Sequence, residues 1–362
     1  MEISNTVYNF MTDEPAVFRK NILQWYDRHR RVLPWRALSG DQVDPYLVWL
    51  SEVMLQQTTV QAVIAYFLKF TEKWPNVHAL AAAENDEVMS AWAGLGYYAR
   101  ARNLHKCAKI VSKDLLGVFP CDEAALKSLP GIGDYTSAAI MSIAFDMPAV
   151  VIDGNVDRVM ARYHAIDRPF PAGKGDVRRY AEFYAKGFSD RPSDYAQALM
   201  DLGAIICTPK SPCCTLCPLN YGCAAYQKGE AELYPKKLPK KQRPKRYGHV
   251  YWITNGKGQV LLHRRPNNGL LGGMYGLPTS DWLEGMLEIK HHTDFSNFDF
   301  VVKHEKVEHV FTHFSLTLFV NEVHLQHNYA GDFSEDFVFY DVNDIRANSF
   351  PTVFKKAIKL FL

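Results

Sequence analysis

Apolar residues recur at three- and four-residue intervals through Val17–Trp25, Tyr46–Phe70, Glu87–Trp92, Leu104–Leu115, Tyr135–Phe145, Val150–Tyr163 and Tyr195–Ile206. That spacing gathers apolar side chains on one face of a helix, so residues 16–205 predict a mostly helical domain. Gly and Pro punctuate it at Leu33-Pro34-Trp35, Trp74-Pro75, Gly94-Leu95-Gly96, Phe119-Pro120 and Pro130-Gly131-Ile132-Gly133. The pattern then stops. Residues 234–246 hold seven Lys or Arg, three prolines and no acid. Such a stretch has no face to bury and predicts an extended linker, free to lie along phosphates. Beyond it the period falls to two. Tyr247–Thr254 and Gln259–Arg264 predict strands joined by a hairpin turn at Asn255-Gly-Lys-Gly258, and Val301–Val302, Phe314–Val323 and Phe337–Tyr340 continue the β pattern. Thr352–Leu362 predicts a terminal helix. The expected order is a helical domain (1–225), a basic Pro-rich linker (226–246) and a smaller α+β domain (247–362), with no internal repeat.

A length of 362 residues suits two domains, and 48% hydrophobic content is ample for two cores. No apolar run approaches the roughly 20 residues of a membrane span. With no charged and apolar leader at Met1–Pro15, the expectation is a soluble cytoplasmic chain with reduced thiols. Net charge is +2, unevenly spread. Residues 281–362 hold 13 acids against 7 Lys or Arg, leaving 34 basic against 26 acidic residues, or +8, for the rest. That tilt suits an anionic partner without requiring one.

Four of the seven cysteines, Cys207, Cys214, Cys217 and Cys223, fall in one short stretch. Thiolates so close converge on a metal or a disulfide set. A reducing compartment disfavours disulfides. A zinc ribbon needs two Cys-x-x-Cys knuckles, and only Cys214/Cys217 makes one. All-thiolate ligation at uneven spacing suits an iron–sulfur cluster, most simply [4Fe–4S]. Cys213, beside Cys214, competes as a ligand.

Leu129-Pro-Gly-Ile-Gly-Asp-Tyr-Thr136 lies between two helical stretches. Gly131 and Gly133 permit a tight turn whose amides point outward at a helix start, an arrangement that binds phosphate without reading sequence. Asp153, in Val151-Ile-Asp153-Gly-Asn155, opens the next helix, where an aspartate ordinarily caps.

The Gly-Ile-Gly hairpin, an Asp twenty residues after Gly133 and the Cys-x6-Cys-x2-Cys-x5-Cys loop together resemble the helix-hairpin-helix DNA glycosylases. The resemblance covers nearly the whole chain. Of its two branches, endonuclease III and the MutY-type adenine glycosylases, three features favour the second. The endonuclease III Schiff-base lysine would fall at Tyr135, and no lysine occurs from Ser128 to Gly173. Ser51-Glu52-Val-Met-Leu-Gln-Gln-Thr58 looks like the MutY helix that carries a catalytic Glu, and the chain continues past the cysteines into a second domain. That domain resembles a Nudix fold: Leu271-Gly-Gly-Met-Tyr-Gly-Leu-Pro278 looks like its leading loop. The Arg-Glu-x-x-Glu-Glu metal box is missing, with only Asp281, Glu284 and Glu288 following, which implies recognition without hydrolase activity.

The resemblance implies a monofunctional enzyme of base excision repair. It would remove adenine from mispairs with 8-oxoguanine or guanine after flipping it out of the duplex. Glu52 would protonate the base, Asp153 would stabilise the sugar cation, and Asn155 and Tyr135 would hold Asp153. Leu33, Trp35, Arg36 and Gln197 would line the adenine pocket. Leu55, Gln57 and Tyr97 would fill or wedge the duplex, with Gly131 and Gly133 on phosphate, and Phe311-Thr312-His313 would sense 8-oxoguanine with Thr in place of the family's Ser. Cys207, Cys214, Cys217 and Cys223 would hold one [4Fe–4S] cluster. Double-stranded DNA would be the partner of a monomer, with no membrane. Two rival readings are an endonuclease III-like glycosylase/lyase and a non-catalytic iron–sulfur DNA-binding or electron-transfer protein.

Overall fold

The computed structural model describes residues 14–37, 43–185, 187–239, 242–266, 269–285, 295, 301–325, 333–347 and 350–362. The chain divides into two compact units, Met1–Asn85 with Arg102–Pro239, and Asp86–Ala101 with Lys240–Leu362.

The first unit is helical. The helices, in chain order, are α1 (Pro15–His29), α2 (Pro45–Leu55), α3 (Val60–Lys73), α4 (Val77–Ala82), α5 (Asn85–Ala91), α6 (Ala99–Lys113), α7 (Glu123–Lys127), α8 (Asp134–Ala139), α9 (Gly154–Tyr163), α10 (Lys174–Ala185), α11 (Pro192–Ile205) and α12 (Ala224–Gln227); α5 and the start of α6 fall in the second unit. Local chemistry sets several starts. Asp44 caps α2 by accepting the Tyr46 amide at 2.8 Å, with Pro45 in the first turn. Asn76 caps α4 and Asp122 caps α7 in the same way.

Three differences from the sequence pattern stand out. The single run Tyr46–Phe70 is two helices, because Gln57 takes a left-handed backbone (φ 59°) and Thr59 caps a fresh start at α3. The run Val150–Tyr163 is helical only from Gly154, after the Asp153 cap. Helix α10 has no forerunner in the pattern: its buried Val177, Ala181 and Tyr184 are too sparse among charged neighbours to show. Where α8 ends, Ile140–Ala144 continue as a π-turn, and Ser142 donates to the Pro192 carbonyl at 2.9 Å.

The core of this unit joins α1, α9, α10 and α11. Phe18 stacks on Tyr184 with centroids 4.1 Å apart and meets Tyr163 edge-on at 5.0 Å. Val156, Val159 and Met160 of α9 and Leu199 and Leu202 of α11 fill the rest. The stretch expected as a free linker begins anchored. Tyr234 is buried beside Ala165 and Ala225, and its hydroxyl donates to Asp167 at 3.0 Å. Lys240 and Lys241 lie outside the described residues.

The second unit is built on a six-stranded mixed sheet, with strands β1 (Lys245–Thr254), β2 (Gln259–Arg264), β3 (Tyr275–Gly276), β4 (Val301–Val310), β5 (Ser315–His324) and β6 (Phe337–Asp341). The order is β3-β2-β1-β5-β4, with β6 also paired to β2. β1 and β5 run parallel from Lys245 opposite Ser315 to Thr254 opposite His324; the other pairs are antiparallel. β4 is much longer than the Val301–Val302 pattern, because its middle, Lys303–Lys306, is polar at an edge. Alternation sorts β1 onto two faces. Val250 and Trp252 pack towards α13 (Thr352–Ile358), while Tyr251 and Ile253 pack with Phe295 and Leu325. Among the described residues no helix is long and apolar enough to cross a membrane.

Gly131 sits at φ +81° between α7 and α8, and a Cβ there would come within 2.9 Å of the Asn103 Cβ. Gly133 has φ −108° and open space around it. Gly131→Ala is expected to lower unfolding stability in urea by about 1–3 kcal/mol. Gly133→Ala should lower it by less than about 1 kcal/mol.

Candidate active site

The first unit holds a cavity of about 510 Å³ walled by α2, the turn after it, Tyr135 of α8, the Asp153 cap and α11. Glu52 and Asp153 both line it. Glu52 lies between Trp49 and Val53 on the buried face of α2 and is 5% exposed. Tyr135 donates its hydroxyl to Glu52 Oε2 at 2.5 Å. Burial pushes the Glu52 carboxyl up to about 7, and the negative Asp153 adds to the rise. The Tyr135 hydrogen bond and the Arg36 charge oppose it.

Asp153 is the cap of α9. Its Oδ1 accepts the Asn155 and Val156 amides at 2.9 and 2.8 Å, and its Oδ2 accepts Asn155 Nδ2 at 2.7 Å. Burial raises its pKa above the ordinary aspartate value, and these three donors lessen the rise without reversing it. One wall therefore carries an acid able to keep a proton at neutrality. The other carries a carboxylate whose charge is met by amides. This is the division of labour that acid-assisted bond cleavage needs.

Helix α9 also reaches the cysteines. Arg158 donates to Asn155 Oδ1 at 2.9 Å, to the Gly203 carbonyl at 2.6 Å and to the Cys207 carbonyl at 2.6 Å. Arg162, one turn on and 2% exposed, donates to Cys207 Sγ at 3.3 Å and to the carbonyls of Thr208, Pro209 and Tyr234. Gly203 makes the approach of α11 to α9 possible, since a Cβ there would stand 2.5 Å from the Asn155 Cβ.

Cys207, Cys214, Cys217 and Cys223 line one small space with Arg162 and Asn220. Cys213 is exposed and outside that lining. Among the described residues, no three of His, Cys, Asp or Glu close in tightly enough to hold a single metal ion.

Of the other expected residues, Leu33, Trp35, Arg36, Leu55, Gln57 and Gln197 line the cavity. Gln197 donates to the Ser193 hydroxyl at 3.1 Å. Arg36 is committed to Asp201, with Nη1 at 2.7 Å and Nη2 at 2.8 Å from its oxygens. Tyr97, Phe311, Thr312 and His313 belong to the second unit. Thr312 and His313 sit exposed at the tip of the β4–β5 hairpin, closed by the Phe311 amide on the Phe314 carbonyl at 2.9 Å. Phe311 stacks on Trp282 at 5.7 Å. The Tyr97 and Thr312 hydroxyls lie 2.9 Å apart.

Sequence reasoning missed Arg31, Asp157, Lys174 and Asp201, which complete the charged set. Lys174 Nζ pairs with Asp157 Oδ2 at 2.9 Å on the cavity wall. Asp201 gave a signal: it is a carboxylate inside the apolar run Leu199-Met-Asp-Leu202, where a charge must find a partner. Lys174 gave none, because its partner lies 17 residues upstream on a different helix.

Residues 50–184 match the HhH-GPD superfamily of base excision DNA repair proteins, and residues 249–360 match the NUDIX domain. The helical unit is also similar to a solved thermostable thymine-DNA glycosylase, at TM-score 0.52 and 30% identity over 59% of this chain and 97% of that one. Fold and site thus define a helix-hairpin-helix base excision repair protein with an appended Nudix-like domain. The adenine DNA glycosylase of Buchnera aphidicola subsp. Baizongia pistaciae is 32% identical over 355 residues, covering 94% of this chain and 96% of the relative. The human adenine DNA glycosylase is 35% identical over 334 residues, 78% of this chain, and the match spans 61% of that longer protein. The chain belongs to the adenine DNA glycosylase family.

A raised folded-state value gives Glu52 a definite effect on stability. The folded state binds the proton more tightly than the unfolded chain, whose value is 4.5. The contribution is therefore fully present below pH 4.5 and lost as pH rises through about 7. Chemical denaturation between pH 4.5 and 8 should show the wild type losing at most about 3 kcal/mol through this group. Glu52→Gln should remove that part of the slope and be the more stable protein at pH 8.

Proposed function

We propose that this chain is a monofunctional DNA glycosylase that hydrolyses the N-glycosidic bond of adenine opposite 8-oxoguanine or guanine. The observation that carries the reading is the pair of unlike carboxyls in one cavity: Glu52, buried and bonded to Tyr135, and Asp153, held by amides.

Adenine cannot meet these groups inside a duplex, so it enters the cavity flipped out. Leu33 and Trp35 offer apolar surface to the base, and Gln197 and Arg36 offer polar groups. Glu52 gives its proton to N7, which turns a poor leaving anion into neutral adenine. General acid assistance of this kind typically supplies roughly 10²–10⁴-fold. Positive charge then develops on the sugar. Asp153 stands ready to stabilise it, because Asn155 and the first turn of α9 hold its carboxylate in place. Water completes the hydrolysis. Tyr135 stands where the lyase branch of the resemblance has its nucleophilic lysine, and it orients Glu52 instead.

One observation favours the lyase reading: an amine, Lys174, does line the cavity. Its Nζ is already engaged by Asp157 Oδ2 at 2.9 Å, and Tyr135, not an amine, stands beside Glu52.

Cys207, Cys214, Cys217 and Cys223 suit a [4Fe–4S] cluster better than one ion. Their side chains surround a shared space, and the buried Arg162 faces Cys207 Sγ with a charge that would offset an anionic cluster. When bound, the cluster would brace this loop, and with it the far end of α9. Gly131 and Gly133 are placed on the DNA backbone, Leu55, Gln57 and Tyr97 within the opened duplex. Phe311, Thr312 and His313 are the lesion readers, the Thr312 hydroxyl already partnered by Tyr97. The glycosylase domain is taken to end at 225, with 226–246 leading to the Nudix-like domain, and the protein to act as a cytoplasmic monomer.

Single-turnover adenine release from A·8-oxoG, A·G and A·T duplexes tests the function. Wild type should act on the first two and spare A·T. Asp153→Asn should bind A·8-oxoG with near-normal affinity and release adenine at least 10²-fold more slowly. Unchanged release, or efficient borohydride trapping on cleaved DNA, would remove this reading in favour of the lyase.

A further inference from the structure

Asp201 stands on α11 with no solvent exposure. Its carboxylate accepts four hydrogen bonds, from Arg31 N at 3.0 Å, Arg31 Nε at 2.6 Å, Arg36 Nη1 at 2.7 Å and Arg36 Nη2 at 2.8 Å. Buried ion pairs are weak sources of stability, since each ion loses several kcal/mol of hydration. What this clamp provides is position. Arg31 and Arg36 both reach the wall of the cavity that holds Glu52, and Arg36 is 10% exposed. The charged or titratable groups around Arg36 include Asp201 of α11, Tyr26 of α1, Glu52 of α2 and Arg31, whose guanidinium shares Asp201. Those around Glu52 are Tyr135 of α8, Asp153 before α9 and Arg36.

A guanidinium beside an acid that must stay protonated is a hazard. Its charge favours the ionised acid, and in a buried site that influence is poorly screened. An anion paired to the guanidinium through both terminal nitrogens cancels most of the field and fixes the rest. We propose that Asp201 is a positioning residue for Glu52: by gripping Arg36 it holds and neutralises a cation of the cavity wall, so that Glu52 retains the proton it must deliver. The proposal rests on the adenine glycosylase reading for its consequence in catalysis, while the clamp itself is a property of the free protein.

Two readouts test it. The first is the titration of Glu52 in the free protein by NMR with carboxyl-¹³C glutamate, the signal assigned by its loss in Glu52→Gln. The second is the pH profile of single-turnover adenine release. Asp201→Asn keeps the shape and removes the charge. It should move the Glu52 midpoint about one pH unit below its value near 7. Release should then fall roughly tenfold at pH 8 and stay within twofold of wild type at pH 5.5. In the double variant Asp201→Asn/Arg36→Gln both charges are gone, and the midpoint should return towards that of wild type. A uniform loss of rate at every pH with an unmoved midpoint would reduce Asp201 to a structural part and overturn the proposal. Should Asp201→Asn fail to fold, Arg36→Gln decides alone: removing the cation must raise the Glu52 midpoint, and an unmoved midpoint overturns the proposal. If wild type releases no adenine, the glycosylase reading falls, and the NMR midpoints still decide the clamp.

Discussion

The site depends on one hydrogen-bonding arrangement, the capping of α9 by Asp153. A carboxylate inside a cavity with apolar walls would ordinarily take up a proton, and burial pushes Asp153 that way. The Asn155 and Val156 amides supply the opposing pull, and they do so because every helix start leaves donors unpaired. The same bonds that begin the helix thus also favour the charge. Glu52 shows the contrast. It sits mid-helix, where the backbone has no spare donors, and its one strong donor is a phenol, so burial lifts it to about 7, whereas at Asp153 the amides lessen a rise that burial still leads.

α9 carries that arrangement outward. Arg158 and Arg162 follow Asp153 by five and nine residues and donate to the backbone and sulfur of the cysteine stretch. Arg162 also holds the Tyr234 carbonyl, so the start of the basic segment is fastened to the same helix. The helix is a short rod with a catalytic candidate at one end and a thiol loop at the other. Its apolar side is locked into the core with Phe18, Tyr184 and Leu199.

Much of this could be read from the chain, and the readable parts share a reason. Asp153, Glu52 and the four cysteines stand out because each places a chemically demanding group in a setting that does not otherwise explain it. Of the hairpin glycines, Gly131 stands out for a physical reason, since few residues other than glycine take a positive φ readily. The strands of the second unit follow from their alternation, except β4, where an edge position lets polar residues interrupt it. What stayed hidden depends on contacts between distant segments. The break at Gln57 comes from an unusual backbone at an ordinary residue. The partnerships of Lys174 with Asp157, and of Arg31 and Arg36 with Asp201, join residues far apart in sequence. Arg36 was visible as a pocket residue, yet its commitment to Asp201 emerges only when α11 is folded against the turn after α1.

The bare α-carbon of Gly203 has a mechanical meaning. Asn155 fills the space that any side chain at 203 would need, the clearance being 2.5 Å to its Cβ. The two helices therefore touch backbone to backbone at the residue that orients Asp153, with no compressible layer between them. Slippage of α11 along its neighbour would be felt at the carboxylate at once, undamped. In such a joint precision comes from the lack of material, and any side chain at position 203 would have to push the two helices apart.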